Sequence, residues 1–123
     1  MANRKLPDAE LEVMQALWAC SSPATRADME QILKDTHPMA QTTLLTLLTR
    51  LAEKEFVRIE KNGRAATYHP LVTREDYLAQ QSKRFLDKLC GGSISLFASA
   101  LCHSGLSKED LKELQTLLEQ EEL

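Results

Sequence analysis

The segment AQTTLLTLLTR, residues 40–50, sets four threonines, Thr42, Thr43, Thr46 and Thr49, beside Arg50. Threonine is stiff about χ1 and a below-average helix former. Each one costs about 0.5 kcal/mol against alanine in a helix, and the four together roughly 2 kcal/mol. Stability gives no reason for them. What they offer is chemistry: a short side chain carrying both a hydroxyl and a methyl. Leu44, Leu47, Leu48 and Leu51 recur at i, i+3, i+4 and i+7, which is one apolar helix face. Thr42, Thr46 and Thr49 fall on the opposite side, with Leu45 and Arg50 near its edges.

A second set of polar residues follows in FVRIEKNGRAATYHPLV. Val57 and Ile59 alternate with Arg58 and Glu60, which predicts a half-buried strand. Asn62-Gly63 predicts a type I′ hairpin turn, because that turn needs φ > 0 at both central residues. The return strand runs over about 64–69 and stops at Pro70. Between Met39 and His69 five cations (Arg50, Lys54, Arg58, Lys61, Arg64) meet three anions (Glu53, Glu55, Glu60), a local charge of +2. The whole chain carries −3, so any footprint for a polyanion is local.

The elements that position these residues are mostly helical. Pro7 opens a first helix, with Asp8, Glu10 and Glu12 at the positive end of its dipole. Leu11, Met14, Leu17 and Trp18 form its apolar stripe. Thr25 and Asp28 predict a capped second helix with Met29, Ile32 and Leu33 inside. The threonine helix is third and extends to about Glu55. Three helices followed by a hairpin is the order of a winged helix–turn–helix, whose third helix enters the major groove while the hairpin lies on the backbone. The major groove shows both hydrogen-bonding edges and thymine methyls, and threonine can address either. The candidate contacts to double-stranded DNA are Gln41, Thr42, Thr43, Leu45, Thr46, Thr49 and Arg50 on the helix. On the wing they are Arg58, Lys61, Asn62, Arg64 and Thr67. The same scaffold also serves as a protein-interaction adaptor without affinity for DNA, since fold does not fix function.

From Thr73 the chain is helical again, broken at Gly91-Gly92, with Ser107 and Asp110 capping a last helix. Tyr77, Leu78, Phe85, Leu89, Ile94, Phe97, Leu101, Leu111, Leu114 and Leu118 are more apolar surface than about fifty residues can bury alone. A second copy of the chain would cover it through symmetric contacts. The competing arrangement folds these helices back on the N-terminal module. The fold class expected is mostly α with a small β-hairpin: a winged helix–turn–helix over residues 1–72 and a helical dimerisation domain over 73–123.

The 123-residue chain is 43 % hydrophobic and 27 % charged, a globular composition. No apolar run approaches the roughly 20 residues of a bilayer span, and the start turns acidic before any signal-like apolar region, so a cytoplasmic protein without a membrane partner is expected. Three irregularly spaced cysteines do not make a disulfide framework, and no CxxC occurs. No cofactor is expected. Cys90, Cys102 and His103 are the one candidate metal set, although adjacent residues on a helix diverge by about 100°. Neither a glycine-rich phosphate loop nor HExxH nor a nucleophile elbow is present, which argues against an enzyme.

TTLLTLLTRLAEKEFV followed by RIEKNGRAATYHPLV resembles the recognition helix and wing of the BlaI/MecI/CopY family of bacterial repressors. LPDAELEVMQALW is similar to that family's first helix, and GGSISLFASAL with GLSKEDLKELQTLL to its C-terminal part. The resemblance runs from about Leu6 to Leu118. It implies a homodimer that represses transcription from a near-palindromic operator with TACA/TGTA-type half-sites. Thr43, Thr46 and Arg50 match the helix positions that the family uses on DNA. Thr42 stands where relatives often carry lysine, and Leu45 where some carry arginine, so a shallower salt dependence is expected. In penicillinase-type members a partner protease cuts an Asn–Phe bond. Ser99-Ala100 stands at the aligned positions, and the paired CxC motifs of copper-responsive members are missing. The regulatory protease or effector is therefore not specified by these motifs.

Overall fold

The computed structural model describes residues 4–121. They form α1 (Asp8–Ala19), α2 (Arg26–Thr36), α3 (Gln41–Glu53), β1 (Val57–Asn62), β2 (Ala65–Pro70), α4 (Arg74–Lys88), α5 (Ile94–Cys102) and α6 (Lys108–Gln120). The chain separates into two compact units, residues 1–81 and 82–123, with the division inside α4. No helix among the described residues is long and apolar enough to cross a membrane.

Helix α1 begins after Pro7 and buries Glu10, Val13, Met14, Ala16 and Leu17. The expected stripe was narrower and lay to one side, and Leu11 and Trp18 are only partly buried. Packing widened it: α1 meets α2, α3 and β2, so more than one face is covered. Helix α2 carries the expected capping box. Asp28 N donates to Thr25 Oγ1 at 3.1 Å, and Thr25 N donates to Asp28 Oδ2 at 2.9 Å. Its end lies at His37, just before Pro38.

Helix α3 buries Leu44, Leu47, Leu48 and Leu51, as its period requires. It stops at Glu53, sooner than the sequence suggested, because Glu55 takes a left-handed φ of 66°. Glu55 N then donates to Ala52 O at 3.0 Å and Phe56 N to Leu51 O at 2.9 Å. This is a Schellman termination, in which two orphan carbonyls are satisfied and Phe56 and Leu51 are both buried.

The hairpin is antiparallel, from Val57↔Pro70 to Asn62↔Ala65. Asn62 pairs within the ladder, so the two turn residues are Gly63 and Arg64, one step later than expected. Only Gly63 of the two has positive φ, at 67°, which is the sign pattern of a type II′ turn and not of I′. Val57 and Tyr68 are buried, with Ile59 and Ala66 partly buried against the core, while Arg58, Glu60, Thr67 and His69 occupy the outer face. A third piece of sheet went unseen in the sequence: Ala24, between α1 and α2, exchanges backbone hydrogen bonds of 3.1 and 2.8 Å with Tyr68.

The core of the first unit centres on Leu6, Met14, Leu17, Met29, Leu44, Leu48, Leu51 and Phe56. Tyr77, expected on the dimerisation face, belongs to this core instead. Its hydroxyl accepts from Leu6 N at 3.0 Å, and its ring lies 5.8 Å from Trp18 and 5.9 Å from Phe56, the latter edge-on. Trp18 Nε1 donates to Val72 O at 2.9 Å. Residues just past the wing are thereby tied to α1.

In the second unit α5 and α6 have no buried residue. Ser93 caps α5, and Ser107 with Asp110 makes the expected box on α6. The Phe85 and Phe97 rings lie 5.4 Å apart and tilted at 52°, but Leu89, Ile94 and Leu118 are each more than 60 % exposed.

Candidate nucleic-acid interface

The outer side of α3 presents Gln41, Thr42, Thr43, Leu45, Thr46, Thr49 and Arg50, all exposed. Thr42, Thr43, Thr46, Leu47 and Arg50 line one shallow concavity. The structure thus brings Thr42, Thr43, Thr46 and Arg50 together, while Gln41, Leu45 and Thr49 are exposed outside that concavity. The hydroxyl of Thr46 donates to Thr42 O at 2.9 Å, and that of Thr49 to Leu45 O at 3.0 Å.

On the wing Arg58, Lys61, Asn62 and Arg64 are exposed and Thr67 is half-buried. Not all of this charge is available. Arg58 meets Glu60 at 3.1 Å on the same strand, and His69 Nε2 lies 3.3 Å from the same carboxylate oxygen. Arg50, Lys61 and Arg64 have no carboxylate partner among the described residues. They are the cations left to meet an anion.

Lys54, counted as positive surface in the sequence, is turned inward. Its ammonium lies 2.5 Å from Glu10 Oε1, with side-chain exposures of 22 % and 4 %. The pair joins α1 to the C-cap of α3. One signal of it was legible: Glu10 occupies the first position of an i, i+3, i+4, i+7 set with Val13, Met14 and Leu17, and an acid in an apolar stripe asks for a buried partner.

Among the described residues no group of three or more His, Cys, Asp or Glu side chains is placed to hold a metal, so Cys90, Cys102 and His103 are not brought together. Cys90 is buried and Cys102 exposed. Burial, and after it the Asp28 carboxylate, pushes the half-buried Cys20 thiol above its ordinary range.

Three helices, a two-stranded hairpin and a one-residue β-bridge between the first two helices define a winged-helix module with an open third helix. A family model described as the penicillinase repressor matches residues 6–120. The penicillinase repressor of Bacillus licheniformis is 34 % identical over 121 residues, covering 95 % of this chain and 94 % of that protein. The methicillin resistance regulatory protein MecI of Staphylococcus aureus strain N315 is 32 % identical over 117 residues, 93 % of each. The solution structure of the monomeric form of Bacillus licheniformis BlaI in complex with the blaP half-operator is similar with a TM-score of 0.50 and 34 % identity, over 60 % of this chain and 89 % of that one. The DNA-binding domain of BlaI, solved alone, matches with a TM-score of 0.51 and 33 % identity, over 59 % and 88 %. The chain belongs to the penicillinase repressor family, the BlaI/MecI repressors, which are transcriptional regulators and not enzymes.

Proposed function

We propose that this protein is a homodimeric repressor that binds a near-palindromic operator through α3 and the wing. The observation that carries this reading is the exposed row of short side chains on α3, ended by Arg50. Long side chains would hold a helix away from base edges, whereas threonines let it sit deep in the major groove. Beside that row, Lys61 and Arg64 at the hairpin tip supply phosphate contacts that set register without reading sequence. The BlaI relative bound to a half-operator as a monomer supports one half-site per protomer here.

Dimerisation through residues 82–123 follows from the apolar surface of that unit. Leu101, Leu111, Leu114 and Leu118 line a groove between α5 and α6, together with Cys102. With Leu89 and Ile94 also open, a second copy of this unit covers what one copy cannot. Two-fold symmetry then places half-site centres about one helical turn, or a multiple of it, apart. Residues 1–72 act as the DNA-binding domain in this reading. Tyr77 is left out of the dimer contacts.

Selection from a random duplex pool tests the first part, with the expected product a near-palindrome bound by two protomers. A pool that enriches no sequence replaces the repressor with a protein-interaction adaptor. Sedimentation of Leu118→Glu tests the second part. The expected change is from dimer to monomer with affinity for a single half-site retained, and an unchanged dimer refutes this surface as the interface.

A further inference from the structure

Threonine can read a base through its hydroxyl or its methyl, and the geometry of α3 separates the two. A hydroxyl has one proton to give. That of Thr46 goes to the Thr42 carbonyl at 2.9 Å, and that of Thr49 to the Leu45 carbonyl at 3.0 Å. Both protons are engaged by the helix's own backbone and are not offered to guanine O6 and N7 or thymine O4. What these side chains keep for a partner is a methyl group and the oxygen lone pairs. Leu45 stands at the edge of the same outer side, 36 % exposed, with no hydrogen-bonding group on its side chain. The one apolar feature that base pairs show in the major groove is the C5-methyl of thymine.

We propose that α3 recognises thymine through its C5-methyl, with Thr46 as the residue that sets this preference by its own methyl and not by its hydroxyl. Leu45 and Thr49 widen the apolar strip, and Arg50 remains the donor for a guanine edge or a phosphate. The bond to the i−4 carbonyl has a second effect. It holds the Thr46 side chain in one rotamer before DNA arrives, so little side-chain freedom is lost on binding. The inference rests on the DNA-binding reading above, and its test separates the two.

The full chain is first given a random duplex pool. The enriched duplex is then resynthesised with deoxyuridine in place of thymine, one position at a time. Removing the critical methyl is expected to weaken binding about fourfold, the affinity equivalent of one methylene-sized contact. Thr46→Val keeps methyl groups and discards the hydroxyl, so the thymine-over-uracil preference survives. Thr46→Ser does the reverse and abolishes the preference at that one position. The site is exposed, so both variants are expected to melt like the parent, which circular dichroism checks. Equal affinity for thymine and uracil at every position, or a preference kept by Thr46→Ser and lost in Thr46→Val, overturns the inference while leaving sequence-specific binding intact. The latter pattern would mean that a side chain other than Thr46 meets the thymine methyl. A pool that enriches nothing overturns the DNA-binding reading, and this inference with it.

Discussion

Replacing Lys54 by methionine should harm the protein more than replacing its partner. The Glu10 side chain is 4 % exposed, so Lys54→Met strands a carboxylate that water cannot reach. Breaking a buried pair in this way costs about 3–5 kcal/mol. Glu10→Gln strands Lys54 instead, which is 22 % exposed and has a flexible stem that can carry the ammonium outward. That loss should be about 1–2 kcal/mol. For a unit of this size 1 kcal/mol moves Tm by about 4–8 °C. The expected drops are then roughly 12–40 °C and 4–16 °C. Glu10→Met with Lys54→Met removes both charges and should recover most of the larger loss. Trp18 is the chain's single tryptophan and packs on Tyr77 in the same core, so its fluorescence during urea or thermal melts reports this unit. Equal losses from the two single variants, or a double variant whose loss is their sum, would refute the claim that burial of Glu10 sets the asymmetry.

Three further outcomes are expected. Arg64→Ala should weaken binding to all sequences alike and flatten the log–log salt dependence by about one unit, as loss of one phosphate contact does; a change confined to particular sequences would move Arg64 from phosphate to base contact. Tyr77→Phe keeps the ring contacts but leaves the Leu6 N–H without its 3.0 Å acceptor, so the tryptophan-monitored melt should lose about 1–3 kcal/mol. In thiol labelling Cys102 should react first because it is exposed, and Cys20 should gain rate only at a more alkaline pH than an ordinary thiol does, because its raised pKa keeps the thiolate scarce. If the proposed dimer covers the groove beside Cys102, its labelling also slows with protein concentration while that of Cys20 does not.

Much of this architecture could be read from residue periods and caps. The leucines of α3 and the boxes at Thr25 and Ser107 are local signals, complete within a turn or two of helix, and the structure places them where the spacing did. Features made by distant partners were illegible. The Ala24–Tyr68 bridge uses backbone atoms alone, so no residue type announces it. Tyr77 looked like interface because its helix is apolar on that side, but its ring and hydroxyl are claimed by Trp18, Phe56 and Leu6 far away in sequence. The hairpin shifted by one residue because Asn62 is tolerated in the ladder, leaving Gly63 to supply the single positive φ. On the outer side of α3, the identities and exposure of the threonines were predictable. Which of their atoms is free was not, since that depends on where each hydroxyl proton goes.

The bridge at Ala24 bears on how the hairpin behaves as a whole. Both of its bonds run main chain to main chain, so no polar side chain at either position is needed to make them. The root of the wing is therefore fastened to the helical frame, like a blade set in its handle. In the proposed complex with DNA, adjustment to a wider or narrower groove is left to the few residues around Gly63 and Arg64, beyond the last paired rungs. Sequence changes there should retune fit to DNA without disturbing the body that holds α3.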